Sequence, residues 1–167
     1  MDAEHNAGKK QRSHRWNHAR FKKTWPRWAF SIVGAVAART NTACRSKSFW
    51  DGDEGVCIWQ PQPYHQAWPG IVNGGILATL IDCHSACTAT ATACRAEHRP
   101  LNSLPVIPFV TASLRVSYLR PTPLDGPLTL RATVLERAER KMVLTCVLSA
   151  EGVACVRGEV VMVRLPA

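Results

Sequence analysis

The chain has 167 residues, the size of one ordinary domain. Hydrophobic residues make up 46% and charged residues 20%, which excludes a disordered or collagen-like chain. No apolar run approaches the roughly 20 residues that a membrane-spanning helix needs. Residues 1–48 hold 11 of the 21 Lys and Arg but two of the 12 Asp and Glu, so they carry the whole net charge of +9. The sequence therefore divides into a basic leader, 1–48, and a neutral domain, 49–167, which excludes a basic surface spread over the whole fold.

The leader interleaves basic residues with Trp16, Phe21 and Trp25 and then enters an apolar run, WAFSIVGAVAA, at residues 28–38. Three interpretations stay open: an organelle-targeting segment, an arm that contacts an anionic membrane or nucleic acid, and a leader without a defined fold. No helix-turn-helix pattern occurs, so no specific nucleic-acid partner is expected. We expect a cytoplasmic protein, with an organelle as the alternative if the leader is a targeting segment.

Seven cysteines occur, an odd number, and none forms a Cys-x-x-Cys pair. Cys83, Cys87 and Cys94 would share one flank of a helix, but no second Cys or His cluster completes a metal site. We therefore expect no metal, buried thiols that pack as small apolar residues, and a reducing compartment.

Within the neutral domain, a short strand and a long helix come first. The run VCIWQ at Val56–Gln60 predicts the strand, and a Pro-rich connection follows it. Gly74 and Gly75 then open a segment, Ile76–Cys94, that contains neither Pro nor Gly. Its length predicts a helix of about five turns. Its many Thr residues lower helix propensity, so burial must stabilise it.

Four further strands are predicted after a Pro-containing loop, at Phe109–Leu119, Leu128–Glu136, Met142–Ala150 and Val153–Leu165. The first alternates without interruption, which puts Thr111 and Tyr118 on opposite faces. Short turns at residues 125–126, 139–140 and 151–152 require antiparallel neighbours. The order of elements predicts an α+β domain in which an antiparallel meander covers the helix.

The segment PGIVNGGILATLIDCHSA, at residues 69–86, carries the candidate chemistry. Its two glycines let the backbone approach a ligand closely and open the helix, where unbonded N–H groups can hold an oxyanion. Asp82 lies about two turns further along, in apolar surroundings where a carboxylate is rarely buried without a reason. One segment thus offers an oxyanion donor and a carboxylate.

The stretch NGGILATLID resembles the His-Gly-Gly-x-x-x-x-x-x-Asp motif of hotdog-fold acyl-CoA thioesterases of the PaaI-like group. The later stretch VTASLRVSYLRPTPL, at Val110–Leu124, resembles the strand that follows the helix in that family. The similarity extends from about Val56 to Leu165. It implies an α+β hotdog fold, an antiparallel sheet wrapped around one long central helix, and hydrolysis of an acyl-CoA to a free acid and CoA.

The resemblance assigns roles residue by residue. Gly74 would donate its N–H to the thioester carbonyl, and Asp82 would act as general base or nucleophile. Thr111 occupies the position of a hydroxyl that orients water or the carboxylate. Asn73 replaces the family's common His, which removes a group that titrates near neutral pH. Gln66 is the nearest candidate for the amide that contacts the carbonyl or water in relatives.

Further implications concern the substrate and the assembly. Gly75 and Arg120 are candidate substrate-binding residues, the latter for a CoA phosphate, and no cofactor is needed. A homodimer is the minimum assembly and a homotetramer is common among relatives, with Gly74 and Asp82 of one chain facing Thr111 of the partner. The alternative function is a non-catalytic acyl-CoA-binding or regulatory domain, whose basic leader would contact nucleic acid or a membrane.

Other conspicuous side chains are expected to be structural. His65 is expected to lie in a loop, and His84 to be packed or paired at the surface. Trp50, Trp59 and Trp68 are expected in the core or at an interface.

Overall fold

The computed structural model describes residues 47–101 and 103–166, so the interpretations of the leader before Lys47 lie outside the described residues. The strands are β1 (Lys47–Asp51), β2 (Glu54–Trp59), β3 (Gln66–Trp68), β4 (Ile71–Val72), β5 (Phe109–Tyr118), β6 (Leu128–Arg137), β7 (Lys141–Ala150) and β8 (Val153–Arg164). A short 3₁₀-helix spans Pro63–His65, and helix α1 spans Gly74–Ala96. The sheet thus begins two residues before the boundary placed at Phe49.

Helix α1 extends the predicted helix by two residues at each end. Asn73 is its N-cap, and the Asn73 side chain accepts a hydrogen bond from the Gly75 N–H at 2.8 Å. The sequence is apolar on nearly every side, as in a helix that is covered by other elements. Across residues 47–101 and 103–166, no helix combines the length and apolar character needed to cross a bilayer.

Six strands form one antiparallel sheet in the order β1-β2-β6-β7-β8-β5, and α1 packs on one of its faces. The core is made of apolar residues from that face and from the helix. Two glycines let the sheet approach α1 closely: a Cβ at Gly55 would collide with Thr88, and a Cβ at Gly158 would collide with Ile81. This is the predicted antiparallel sheet around one long helix.

The predicted meander is wrong in one respect, because β5 does not pair with β6. Strand β5 pairs with β8 at the edge of the sheet, whereas β6 lies between β2 and β7. The turn residues Asp125 and Gly126 therefore belong to a crossing segment, residues 119–127, and not to a hairpin. The two later turns do join neighbouring strands, and Glu151 and Gly152 both adopt positive φ values of 50° and 80° there.

A β-bulge interrupts the alternation predicted for β5. Thr111 pairs with Met162 and Ser113 pairs with Val161, which leaves Ala112 as the extra residue. Because the bulge changes the parity of the strand, Thr111 and Tyr118 both point toward α1. The expectation that they occupy opposite faces is therefore wrong.

Candidate active site

A groove of about 410 Å³ lies at the N-terminal end of α1. Its walls combine the start of the helix with the segment that leaves β5. The lining residues are Ile71, Val72, Gly74, Leu77, Tyr118, Leu119, Arg120, Pro121 and Thr122. The fold thus brings Gly74 and Arg120, two of the residues singled out from the sequence, to one groove.

The first turn of α1 contributes Gly74 to the lining of this groove. The Gly75 N–H donates to Asn73 Oδ1, whereas the Gly74 N–H has no acceptor among the described residues. The first amides of a helix carry a positive partial charge, so the Gly74 N–H suits a developing oxyanion. Asn73 caps the helix by accepting a hydrogen bond from the Gly75 N–H. The Gly75 N–H is therefore not available to a ligand.

Asp82 lies two turns along α1 and is half-buried. The Thr111 hydroxyl donates a hydrogen bond to Asp82 Oδ1 and also approaches Met162 Sδ at 3.6 Å. The bulge at Ala112 aims the hydroxyl at the carboxylate. Because Thr111 engages one carboxylate oxygen, Oδ2 is the oxygen that can accept a proton from water.

The hydrogen bond between Thr111 and Asp82 is made within one chain, so the expectation that Asp82 meets Thr111 across a subunit boundary is wrong. The physical reason is the edge position of β5, which runs back along α1 in the same molecule. Gly74 and Asp82 stand eight residues apart on that helix, a separation of about 12 Å along the axis. A thioester carbonyl is much smaller than this separation, so Gly74 and Asp82 of one chain cannot both contact it.

Two other predicted substrate-binding residues lie near the helix start. Gln66 Oε1 accepts a hydrogen bond from the Gly70 N–H at 3.0 Å, so the Gln66 side chain closes the turn between β3 and β4. Arg120 is exposed and lines the groove beside Tyr118. Among the described residues, no carboxylate forms an ion pair with Arg120.

Sequence reasoning missed Tyr118 as a residue of the groove. Its hydroxyl donates to the Gly74 carbonyl oxygen at 2.8 Å, and its ring lies against the Gly74 backbone. The uninterrupted alternation assigned it to the face opposite Thr111. A tyrosine placed directly before Leu119 and Arg120, inside the second family-like stretch, is the signal that could have drawn attention to it.

The two histidines have structural surroundings. His65 belongs to the 3₁₀-helix, its Nδ1 accepts from the Gln62 N–H at 2.9 Å, and partial burial lowers its pKa. His84 is fully buried, so of the two expected placements the packed one is confirmed and the surface pair is not. Its Nε2 donates to the Gly55 carbonyl at 2.9 Å, so its Nδ1 accepts from the Ser48 hydroxyl at 2.7 Å. Burial lowers the pKa of His84 to about 4, against the smaller opposing effect of the Gly55 hydrogen bond.

The tryptophans and cysteines divide between core and surface. Trp59 is buried in the core, Trp50 is half-buried under the Arg95 guanidinium, and Trp68 is 73% exposed. Five cysteines are buried, Cys83 is half-buried, and Cys44 lies outside the described residues. In the part of the chain that the structure describes, no three His, Cys, Asp or Glu side chains converge as a metal site would require.

One long helix wrapped by an antiparallel sheet is the hotdog fold. The family model of the thioesterase superfamily matches residues 69–156, just over half of the chain. The chain belongs to the thioesterase superfamily. The matched range contains Gly74, Asp82 and Thr111.

Curated relatives carry a more specific name. The chain is 30% identical over 92 residues to acyl-coenzyme A thioesterase THEM4 of Bos taurus. The aligned region covers 54% of this chain and 32% of the relative. It is 31% identical over 91 residues to the Xenopus laevis protein of the same name, covering 54% and 35%. The match therefore spans about a third of the length of these relatives.

Solved structures agree on the fold. A thioesterase superfamily protein from Shewanella loihica PV-4 is 39% identical, with a TM-score of 0.61 over 73% of this chain and 92% of that one. A hypothetical thioesterase from Streptococcus pneumoniae, determined with coenzyme A, is 18% identical, with a TM-score of 0.59 over 72% and 85%. At that identity the second similarity concerns the fold alone.

Proposed function

We propose that the chain hydrolyses acyl-CoA thioesters to a free acid and CoA. The Gly74 N–H polarises the thioester carbonyl, and Asp82 accepts a proton from water as the water oxygen bonds to the carbonyl carbon. The tetrahedral intermediate then breaks its C–S bond, and the thiolate of CoA takes up the proton. The curated relatives named acyl-coenzyme A thioesterase support this substrate class.

The hydrogen bond from Thr111 to Asp82 is the observation that carries the proposal. It fixes one oxygen of a half-buried carboxylate and leaves the other free of this bond. A carboxylate that only solubilised the helix surface would need no such partner. Thr111 reaches it because of a bulge, a feature that often re-aims side chains next to active sites.

The proposed site is built from two copies of the chain. The separation of about 12 Å between Gly74 and Asp82 on α1 means that one molecule cannot apply both to the same thioester carbonyl. A two-fold related copy supplies the missing half: Asp82 and Thr111 of one chain act with Gly74 of the other. Two equivalent sites then form in each dimer.

Strand β5 has the properties of the interface that this arrangement needs. In the described part of the chain it pairs with β8 alone, which leaves a ten-residue edge without a strand partner. Leu114 and Tyr118 are 37% and 53% exposed on the side of α1. If two β5 strands pair antiparallel about Leu114, the bulge at Ala112 sets Thr111 opposite the partner's Val116, on the face that also carries the partner's Tyr118. Because Tyr118 touches Gly74, this register brings the partner's Gly74 to Asp82.

The first experiment measures thiol release by the full chain from a panel of acyl-CoAs, with Asp82→Asn as the test variant. We expect kcat to fall by about a hundredfold or more, the scale of a lost general base. Asp125→Asn, at an exposed carboxylate outside the site, is the matched control and should retain wild-type kcat. Equal turnover by Asp82→Asn and wild type would remove Asp82 from the mechanism.

A complementation experiment tests the two-copy site. Gly74→Pro removes the N–H and introduces a residue that is favoured at the first position of a helix. Asn73 has the extended conformation that a residue before proline prefers. Each of Gly74→Pro and Asp82→Asn should be inactive alone. Refolded together, they should recover about a quarter of wild-type activity, because half of the random dimers are mixed and each mixed dimer has one intact site. No recovery would contradict the shared site.

A binding module without catalysis is the second candidate, because Asn73 stands at the His position of the His-Gly-Gly motif that this segment resembles. It predicts acyl-CoA binding by the wild type with no thiol release from any acyl-CoA in the panel. Measurable turnover that depends on Asp82 excludes it.

A further inference from the structure

Tyr118 is tied to the residue that carries the proposed oxyanion donor. Its hydroxyl donates to the Gly74 carbonyl oxygen at 2.8 Å. A Cβ built on Gly74 would lie 3.3 Å from ring carbons and from the hydroxyl of Tyr118, so the ring covers the Gly74 backbone directly. This contact joins the end of β5 to the first residue of α1.

The Gly74-Gly75 pair needs such a restraint, because glycine is the least restricted residue of the backbone. Besides the regular bonds of the helix, the first turn is held by hydrogen bonds from the Leu77 N–H to the Asn73 carbonyl at 3.2 Å, from the Gly75 N–H to Asn73 Oδ1 at 2.8 Å, from the Thr79 hydroxyl to the Gly75 carbonyl at 2.8 Å, and from Tyr118 to the Gly74 carbonyl. The first three are local to the helix start. Among these four, the bond from Tyr118 alone ties the glycine pair to the sheet.

We infer that Tyr118 is a positioning residue that orients the Gly74 N–H toward the thioester carbonyl. This inference rests on the proposed function. A donor stabilises an oxyanion only in the geometry that the oxyanion will occupy, so a backbone left free to rock loses transition-state stabilisation before it loses binding. The substrate is held by the groove walls, and the Tyr118 ring remains such a wall when its hydroxyl is removed.

The kinetic test is Tyr118→Phe in the full chain. We expect kcat for an acyl-CoA to fall about tenfold, less than the loss of an entire oxyanion donor, and KM to stay within about twofold. The chain offers a matched control, Tyr64→Phe, because Tyr64 is its other tyrosine and is 81% exposed. The control should match wild type in both constants. An unchanged kcat in Tyr118→Phe, with the wild type active, would overturn the inference and leave the proposed function standing.

A second measurement follows the backbone without an assay. In amide NMR spectra, Tyr118→Phe should shift the Gly74 and Gly75 resonances and speed Gly75 exchange with solvent, while Gly126 and Gly152 stay in place. Tyr64→Phe should leave all four unchanged. Wild-type Gly74 and Gly75 resonances in Tyr118→Phe would overturn the positioning role whether or not the chain hydrolyses thioesters. If the wild type shows no hydrolysis, the proposed function fails separately.

Discussion

Asp82 and His84 stand two positions apart on α1, and each receives a hydrogen bond from a hydroxyl side chain. Thr111 donates to Asp82, and Ser48 donates to His84. The surroundings differ: Asp82 is half-buried beside the edge strand β5, whereas His84 is 0% exposed between α1 and the strands β1 and β2. Solvent can therefore reach the hydroxyl-bonded carboxylate of Asp82 but not the hydroxyl-bonded ring of His84.

The helix geometry explains the difference. Each residue turns the helix by 100°, so residues two positions apart point to nearly opposite sides. His84 has both ring nitrogens bonded, to Ser48 and to the Gly55 carbonyl, which satisfies every polar atom of the ring. The carboxylate of Asp82 keeps an oxygen beyond the one that Thr111 holds. The first arrangement stabilises the fold, and the second has the features that the proposed reaction requires.

The largest effect is expected from the protonation of His84. Its pKa is about 4 in the folded chain and 6.5 as the ordinary value, so between these limits the unfolded chain binds more protons. The free energy of unfolding should therefore be at its full value above pH 6.5 and fall as the pH approaches 4, by about 3 kcal/mol. Urea unfolding at a series of pH values measures this loss.

The variant His84→Asn isolates that contribution. It removes the titrating group, so the difference in unfolding free energy between wild type and variant should shrink as the pH falls from 6.5 to 4. His98→Asn, at an exposed histidine, should keep the wild-type slope. Equal pH slopes in wild type and His84→Asn would mean that His84 accepts a proton in the fold.

Removal of the buried hydroxyl, Ser48→Ala, should destabilise the fold and spare the reaction. His84 Nδ1 then lacks its donor in a site without solvent, and an unsatisfied buried acceptor costs about 1–3 kcal/mol. Unfolding by urea should show this loss, while kcat for thioester hydrolysis stays at the wild-type value. A change in kcat without a change in stability would reverse the roles assigned to the two sides of α1.

Thr111→Val is the corresponding experiment at Asp82. It removes the hydroxyl that bonds the accessible carboxylate and keeps the shape of the side chain. Asp82 loses the hydrogen bond that orients it, so we expect kcat to fall about tenfold. Thr111 is exposed, so stability should change by less than about 0.5 kcal/mol. Thr133→Val, on β6, controls for the loss of a strand hydroxyl that donates to a carboxylate, because Thr133 donates to Glu54 at a distance of two strands from β5. Wild-type kcat in Thr111→Val would contradict the assigned role.

The sequence predicts the features that neighbouring residues determine, and it does not predict those that depend on contacts between residues far apart in the chain. The helix and the four later strands follow from local pattern, and the structure confirms them within two residues. Gly74 and Asp82 were singled out because a helix start and a carboxylate in an apolar run are local features as well. The pairing of β5 with β8 depends on contacts between distant residues, and a turn-like Asp125-Gly126 cannot reveal it.

The bulge at Ala112 shows the same limit on a smaller scale. No residue type marks the extra residue of a bulge, so an alternating sequence predicts an unbroken strand. That single residue decides that Thr111 meets Asp82 and that Tyr118 meets Gly74. Strand β1 was missed because Lys47 and Ser48 resemble the polar leader, although Ser48 is bonded to the buried His84.

The smallest expected effect concerns Arg120, which lines the groove beside Gly74 and belongs to neither side of the comparison between Asp82 and His84. An exposed guanidinium that meets a CoA phosphate contributes mainly to binding, so Arg120→Gln should raise KM about three- to tenfold and leave kcat unchanged. The increase should diminish at high salt, since ions screen exposed charges. Arg157→Gln, at an exposed arginine of β8, serves as the control. If both substitutions raise KM equally, the loss of any surface arginine weakens substrate binding, and Arg120 makes no specific contact with the substrate.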